Sequence, residues 1–245
     1  MEAPMKRGTL ALAIATMASL AAGAARAGVY DLVADFPDHQ GGSGFYAYGY
    51  DGTTYRPLDE HPAAAYAFVG RDASLWYVPY VSMDYIGDNP NTGYVAMHPS
   101  QWTWVVGHDP DRLPPPENAI LAWQAGSDGF ASLVGEFRKP SYLSCGATVC
   151  DGVHVYVRKN GAVLWETDLT TRAGSAVSFD LASVPVKAGD MLYFGVSARG
   201  NDQWDETFVK GSITTAPVPE PETWALMSAG LGMLGALSRR RRPGA

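Results

Sequence analysis

The chain has only two cysteines and five histidines in 245 residues, and few basic residues once its two ends are set aside. Two thiols are too few for a structural zinc site without nearby partners. No Gly-x-Ser-x-Gly elbow occurs, and Gly42-Ser43-Gly44 lacks both the spacing and the strand-turn-helix setting of a hydrolase nucleophile. His-Glu-x-x-His is also missing, which removes a common zinc-protease pattern. His108, beside Asp109 and Asp111, is the most ligand-like histidine, yet a solvated turn accounts for it better. Helical periodicity is scarce between Gly28 and Pro217, no repeat or low-complexity tract occurs, and no regular threonine array offers an ice-binding surface. Paired carboxylates for glycoside hydrolysis need only be close in space. A secreted carbohydrate-active hydrolase on a β-sandwich therefore stands as the alternative to a non-catalytic protein.

The two ends are informative. Lys6 and Arg7 precede an uncharged stretch from Gly8 to Ala25 that closes on Ala25-Arg26-Ala27, a small-x-small pattern. That order is a secretory signal peptide, read by the Sec export machinery and cleaved after Ala27. Its apolar part is shorter than the ~20 residues a bilayer span asks for. At the other end, Trp224 to Leu237 carries no charge and runs into Arg239, Arg240, Arg241 and Arg242, a block that the positive-inside rule keeps cytoplasmic. The apolar run spans a bilayer with little to spare, which suits a temporary anchor in the cytoplasmic membrane.

Val218-Pro219-Glu220-Pro221 stands just before that run. A Pro-Glu-Pro triplet, a short apolar helix and an arginine cluster at the C-terminus together resemble the PEP-CTERM sorting signal. The resemblance implies that a membrane-embedded exosortase recognises the triplet and removes the helix and basic tail, leaving the rest at the cell surface or in the extracellular matrix. The expected organisation is a signal peptide over 1–27, a β domain over 28–215 and the sorting signal over 216–245.

Without Lys6, Arg7, Arg26 and the four terminal arginines, 11 of 18 basic residues remain; without Glu2, Glu220 and Glu222, 22 of 25 acidic ones remain, so the net charge is about −11. Such a surface repels nucleic acid and anionic lipid but tolerates neutral polysaccharide and divalent cations. Cys145 and Cys150, with four residues between them in an exported chain, predict a local disulfide, free thiols being the alternative.

Val153, Val155 and Val157 alternate with His154, Tyr156 and Arg158, and Asn160-Gly161 then predicts a type I′ hairpin into Ala162 to Thr167. Further strands are expected over Phe45 to Tyr50, Ala65 to Val69, Leu75 to Val81, Ala119 to Gln124, Ala131 to Phe137, Val177 to Leu181, Met191 to Ala198 and Thr207 to Thr214. Asp84 to Pro99 and Gly107 to Asn118, rich in Pro, Asn, Asp and Gly, read as loops. The fold expected is all-β, a two-sheet antiparallel β-sandwich flanked by the N-terminal signal helix and the C-terminal transmembrane helix.

From Met97 to Ile213 the order of landmarks resembles secreted jelly-roll, galactose-binding-like modules. These landmarks are His98-Pro99, Ile120 to Trp123, Asp151 to Val157 with Asn160-Gly161, Ala188-Gly189-Asp190, Tyr193 to Val196, Gly200-Asn201-Asp202, and Asp205-Glu206-Thr207. The resemblance implies a structural calcium ion, for which Asn201, Asp202 and Asp205 in the last inter-strand loop are candidates, with Asp84, Asp88, Asn89 and Asn91 a second set. Ordinary Asx turns explain the same residues. Trp76, Tyr77, Tyr80, Tyr85, Tyr94, Trp102, Trp104 and Trp204 lie in or beside the expected loops, and Trp102, Trp104 and Trp204 are the candidate sugar-stacking rings, core burial being the competing role. The expected function is an exported, non-catalytic surface or matrix protein that binds exopolysaccharide. Replacing Pro219, Glu220 and Pro221 by alanine should trap the chain in the cytoplasmic membrane at its larger mass. An unchanged mature mass on immunoblotting would reject exosortase processing.

Overall fold

Alternating apolar and polar residues favour strands because one face of each can be buried, and in this computed structural model the strands pair into two antiparallel sheets. The structure describes residues 27–60, 67–69, 79–83, 93–100, 116–141, 151–170, 172–200, 204–218 and 228–233. In chain order the strands are β1 (Gly28–Asp31), β2 (Phe45–Tyr50), β3 (Tyr55–Pro57), β4 (Asp59–Glu60), β5 (Ala67–Val69), β6 (Tyr80–Ser82) and β7 (Val95–His98). They continue as β8 (Asn118–Gln124), β9 (Gly129–Arg138), β10 (Val153–Lys159), β11 (Ala162–Leu169), β12 (Ala176–Val186), β13 (Met191–Ala198) and β14 (Thr207–Pro217).

The larger sheet runs β12-β9-β14-β7-β6-β5-β4, with β1 also paired to β14, and the smaller runs β11-β10-β13-β8-β2-β3. Within these, β7-β14-β9-β12 pack across the shared core against β8-β13-β10-β11, with β7 meeting β8 and β12 meeting β11 at the two ends. From β7 onward consecutive strands alternate between the sheets except at the β10–β11 hairpin, which is the nested order of a jelly roll.

Inward side chains from both sheets form one core that includes Phe45, Met97, Trp123, Phe137, Phe179 and Phe194. Phe179 links the layers, with ring centroids 5.8 Å from Phe137 and 5.7 Å from Phe194. Each such buried side chain contributes about 1.5 to 3 kcal/mol relative to exposure.

The second half of the chain follows the expectation closely, and the first half departs from it. Val95–His98 is a strand inside the stretch that reads as loop, because Val95 and Met97 are fully buried while the neighbouring Asn and Pro residues mask the short alternation. β1, β3 and β4 have no counterpart among the expected strands. At the β10–β11 hairpin, Asn160 has a positive φ of 51° but Gly161 does not, so the turn is not type I′. The Asn160 side chain donates to Asp190 at 3.0 Å and accepts from the Met191 N–H at 2.9 Å, and this tertiary tie sets the turn.

Ala27 is exposed and precedes β1, whereas Ala25 lies outside the described residues. So do Pro219, Glu220, Pro221, Arg239, Arg240, Arg241, Arg242, Cys145 and Cys150, and with them the expected disulfide. Residues 228–233 are helical, and no helix among the described residues is long and apolar enough to cross a membrane.

Gly135 and Gly211 pair across β9 and β14. A Cβ on Gly135 would lie 2.4 Å from both the Lys210 carbonyl oxygen and the Phe179 ring. Gly135→Ala should therefore destabilise the fold by about 1 to 3 kcal/mol through overpacking. Chemical denaturation checks this, and an unchanged midpoint would show that the contact is soft.

Candidate ligand-binding face

The pleat that turns Phe45, Ala47 and the backbone of Gly49 toward the core turns Tyr46, Tyr48 and Tyr50 outward from the six-stranded sheet. Pairing then aligns these rings with outward residues from three more strands. Tyr156, Gly195, Ile120 and Tyr48 lie in one cross-strand row, and Arg158, Tyr193, Ala122 and Tyr46 in the next. Tyr55 of β3 pairs with Tyr50 and completes a face of six tyrosines.

Small residues make room for the rings. Tyr156 lies across Gly195, where any Cβ would meet its ring atoms at 2.2 Å. Tyr55 is sandwiched between Tyr50 and Tyr193, at centroid distances of 4.3 and 4.2 Å and interplanar angles of 21° and 9°. Tyr46 and Tyr48 stack at 6.0 Å. The Arg158 guanidinium lies 4.2 Å over the Tyr156 ring and 5.8 Å from that of Tyr50, a cation–π contact with each. Asn118 donates to the Tyr156 hydroxyl at 3.0 Å, and the Tyr46 hydroxyl donates to Gln124 at 3.2 Å. Tyr156 is buried, while Tyr46, Tyr48, Tyr50 and Tyr55 keep part of their surface in solvent. The result is a fixed aromatic platform with hydroxyls and one cation on it.

Both edges of the platform are charged. On one side His154 lies between Asp168 at 3.0 Å and Glu166 at 3.3 Å, and Arg199 reaches Asp168 at 2.8 Å. The hydrogen bond from His154, with Arg199 beside it, holds Asp168 below the usual carboxylate range. On the other side Arg56 bridges Asp51 at 2.6 Å and Glu117 at 3.4 Å. The Arg56 hydrogen bond pushes Asp51 well down, whereas burial raises Glu117 despite the same arginine.

Burial also raises the phenols of Tyr48, Tyr55 and Tyr156, and takes Tyr193 up to about 12.

Of the ligand and metal residues expected from the sequence, the described ones, Trp204 and Asp205, lie away from this face. Trp204, 49% exposed with a left-handed φ of 63°, precedes β14 of the other sheet. Trp102, Trp104, Asn201 and Asp202 lie outside the described residues. Asp205 is buried, and its carboxylate stands 3.9 Å from the Lys139 ammonium. No group of three or more acidic, His or Cys side chains that could hold a metal occurs among the described residues.

Tyr80 and Tyr94 belong to a small apolar group with Val69, Ala96 and Phe208 on the outer side of the eight-stranded sheet. A groove of about 820 Å³ opens nearby, lined in part by Asp31, Glu136, Asp180 and Lys210. Its central carboxylate, Glu136, is already engaged by the Tyr94 hydroxyl at 2.8 Å, Arg138 at 3.2 Å and Lys210 at 3.4 Å.

The fold and the platform define a jelly-roll β-sandwich with an aromatic outer face. Residues 217–242 match the family model for the PEP-CTERM protein-sorting motif, so the chain carries that motif, which implies export and sorting to the cell surface. No curated protein matches. Among solved structures, the chain is similar to a CBM51 from Clostridium perfringens GH95 in complex with methyl-galactose, with 9% identity over 78% of this chain and 94% of that one and a TM-score of 0.31. A family 35 carbohydrate binding module from Clostridium thermocellum is 10% identical over 77% of this chain and 98% of that one, with a TM-score of 0.30. Scores this low carry neither ligand nor residue roles across.

The raised phenols have a measurable consequence. A tyrosine that keeps its proton longer in the folded than in the unfolded state lends stability that is complete below the ordinary value and lost as pH rises through the folded one. For Tyr193 the window runs from 10.0 to about 12. Tyrosinate absorbance should show a late-titrating group in the native protein, and stability should fall across that window. All 13 tyrosines of the chain titrating together near the ordinary value would refute a packed face.

Proposed function

We propose that the chain is an exported, non-catalytic protein of the cell surface or extracellular matrix that is sorted and cleaved by an exosortase and binds extracellular polysaccharide through its tyrosine face. The observation that carries the reading is the Tyr50–Tyr55–Tyr193 stack, held on the outer side of the six-stranded sheet with its neighbours partly in solvent. Both faces of Tyr55 are covered within the stack, so it is the part-exposed ring surfaces and phenol hydroxyls of Tyr46, Tyr48, Tyr50 and Tyr55 that would meet the C–H surfaces and hydroxyls of a sugar. A platform of stacked rings has little side-chain entropy left to lose on binding, and such preorganisation favours affinity.

Charge narrows the ligand. The mature region carries about 11 more acidic than basic residues, so polyanions are repelled at long range and neutral glycans are not. The sorting motif supports a destination where such polymers occur. The absence of an elbow or zinc-protease motif from the sequence supports binding over turnover.

The test is a polysaccharide array with the purified 28–217 chain. Saturable binding to neutral glycans without release of reducing ends is expected, and Tyr55→Ala should weaken it roughly tenfold, equivalent to ~1.4 kcal/mol. Release of reducing ends would overturn the non-catalytic reading, and full binding by Tyr55→Ala would move the ligand away from this face.

A further inference from the structure

Lys139 is a lysine in an unusual place. It follows the last residue of β9, and only 2% of its side chain is exposed. Asp205, with 1% of its side chain exposed, stands two residues before β14, the strand that pairs with β9. The Lys139 Nζ donates to the Trp204 carbonyl oxygen at 2.9 Å and lies 3.9 Å from the Asp205 carboxylate. Glu206 is buried beside them, and Glu206 and Asp151 also act electrostatically on the ammonium.

The backbones on both sides are anchored. The Lys139 N–H donates to Ser175 O at 2.8 Å, and its carbonyl accepts from Gly174 at 3.1 Å. Asp205 O accepts from the Thr207 hydroxyl at 2.9 Å. Amine and carboxyl are thus held face to face, away from bulk water.

We propose that Lys139 and Asp205 condense into an intramolecular amide that cross-links the chain just beyond β9 to the chain just before β14. A buried ion pair carries a desolvation cost for both charges. The amide carries no charge, so its formation relieves that cost, and fixed partners react with a high effective concentration.

The step balances without a co-reactant. One ammonium proton passes, through Glu206 or Asp151, to the Asp205 carboxylate, so that the ion pair becomes a neutral amine and acid, and the free Nζ lone pair attacks Cγ of that acid. The second N–H proton passes through the same neighbour to the departing hydroxyl, the C–O bond breaks, one water leaves for the C–N bond formed, and the neighbour ends as it began. Burial lowers the Lys139 ammonium below the ordinary lysine value, which eases release of the free amine. The Nζ lies 3.9 Å from Asp205 Oδ1, and turning the carboxyl so that Cγ comes within the ~3 to 3.5 Å of a reactive contact is within side-chain motion.

The test is mass spectrometry of the exported full-length gene product, denatured after purification. The wild-type protein should be lighter by one water than its processed sequence, beyond any change at Cys145 and Cys150. Proteolytic digestion should also yield one branched peptide joining Lys139 to Asp205. Asp205→Ala and Lys139→Met should recover the full mass. A wild-type protein with no branched peptide and no missing water holds only a buried ion pair, and the proposal falls. A water still missing from Asp205→Ala places the loss at another site and overturns the proposal as well. If neither variant folds, the wild-type branched peptide decides alone.

Discussion

The long antiparallel ladder between β9 and β14 is the constraint on which the rest of the sandwich depends. It runs from Phe208 opposite Arg138 to Pro217 opposite Gly129, and β14 carries β7 and β1 on its other side. Through it the last strand of the chain joins the first, and the inward residues Phe137 and Ile213 reach the core of both layers. The facing glycines Gly135 and Gly211 let the two backbones and the Phe179 ring close up at the ladder's middle. Lys139 and Asp205 stand at one end of this ladder, and the chain toward the sorting motif leaves from the other.

The opposite sheet has two sides of different character. Its inner side supplies Phe45, Trp123, Val155 and Phe194 to the core, and its outer side presents six tyrosines where a purely structural sheet would show ordinary polar residues. Packing of these rings on one another has two effects. It buries phenol enough to raise the ionisation of Tyr48, Tyr55, Tyr156 and Tyr193, and it leaves a surface whose shape is set by the rings themselves. Arg158 completes that surface by lying over Tyr156 rather than extending into solvent.

How much of this is legible in the sequence depends on whether the signal is local. The run Val153 to Val157 and the strands at Val177, Leu192 and Val209 alternate cleanly, and the structure has strands at each. Short strands such as Tyr55–Pro57 and Val95–His98 hold too few residues to display a period, and only burial against partners makes them strands. The tyrosine face is legible in part: Tyr46, Tyr48 and Tyr50 visibly alternate with Phe45 and Ala47. That Tyr55, Tyr156 and Tyr193 join them follows from pairings between distant segments, which spacing along the chain does not encode. Aromatics beside expected loops point instead to Trp204 and Tyr94, which the fold places on the other sheet.

One consequence follows from where β1 sits. The Gly28 N–H bonds to the Thr215 hydroxyl at 2.9 Å across 187 positions, so the first strand of the mature region is completed by the last. A chain threaded outward from its N-terminus delivers β1 first and must leave that edge unsatisfied until nearly everything else has arrived. Contacts between such remote segments form slowly, because a long loop has to close before any of its bonds are gained. The β1 edge of the sheet is therefore among the last parts of the sandwich to close, and the segment that carries the sorting motif begins where that closure is completed, at Pro217.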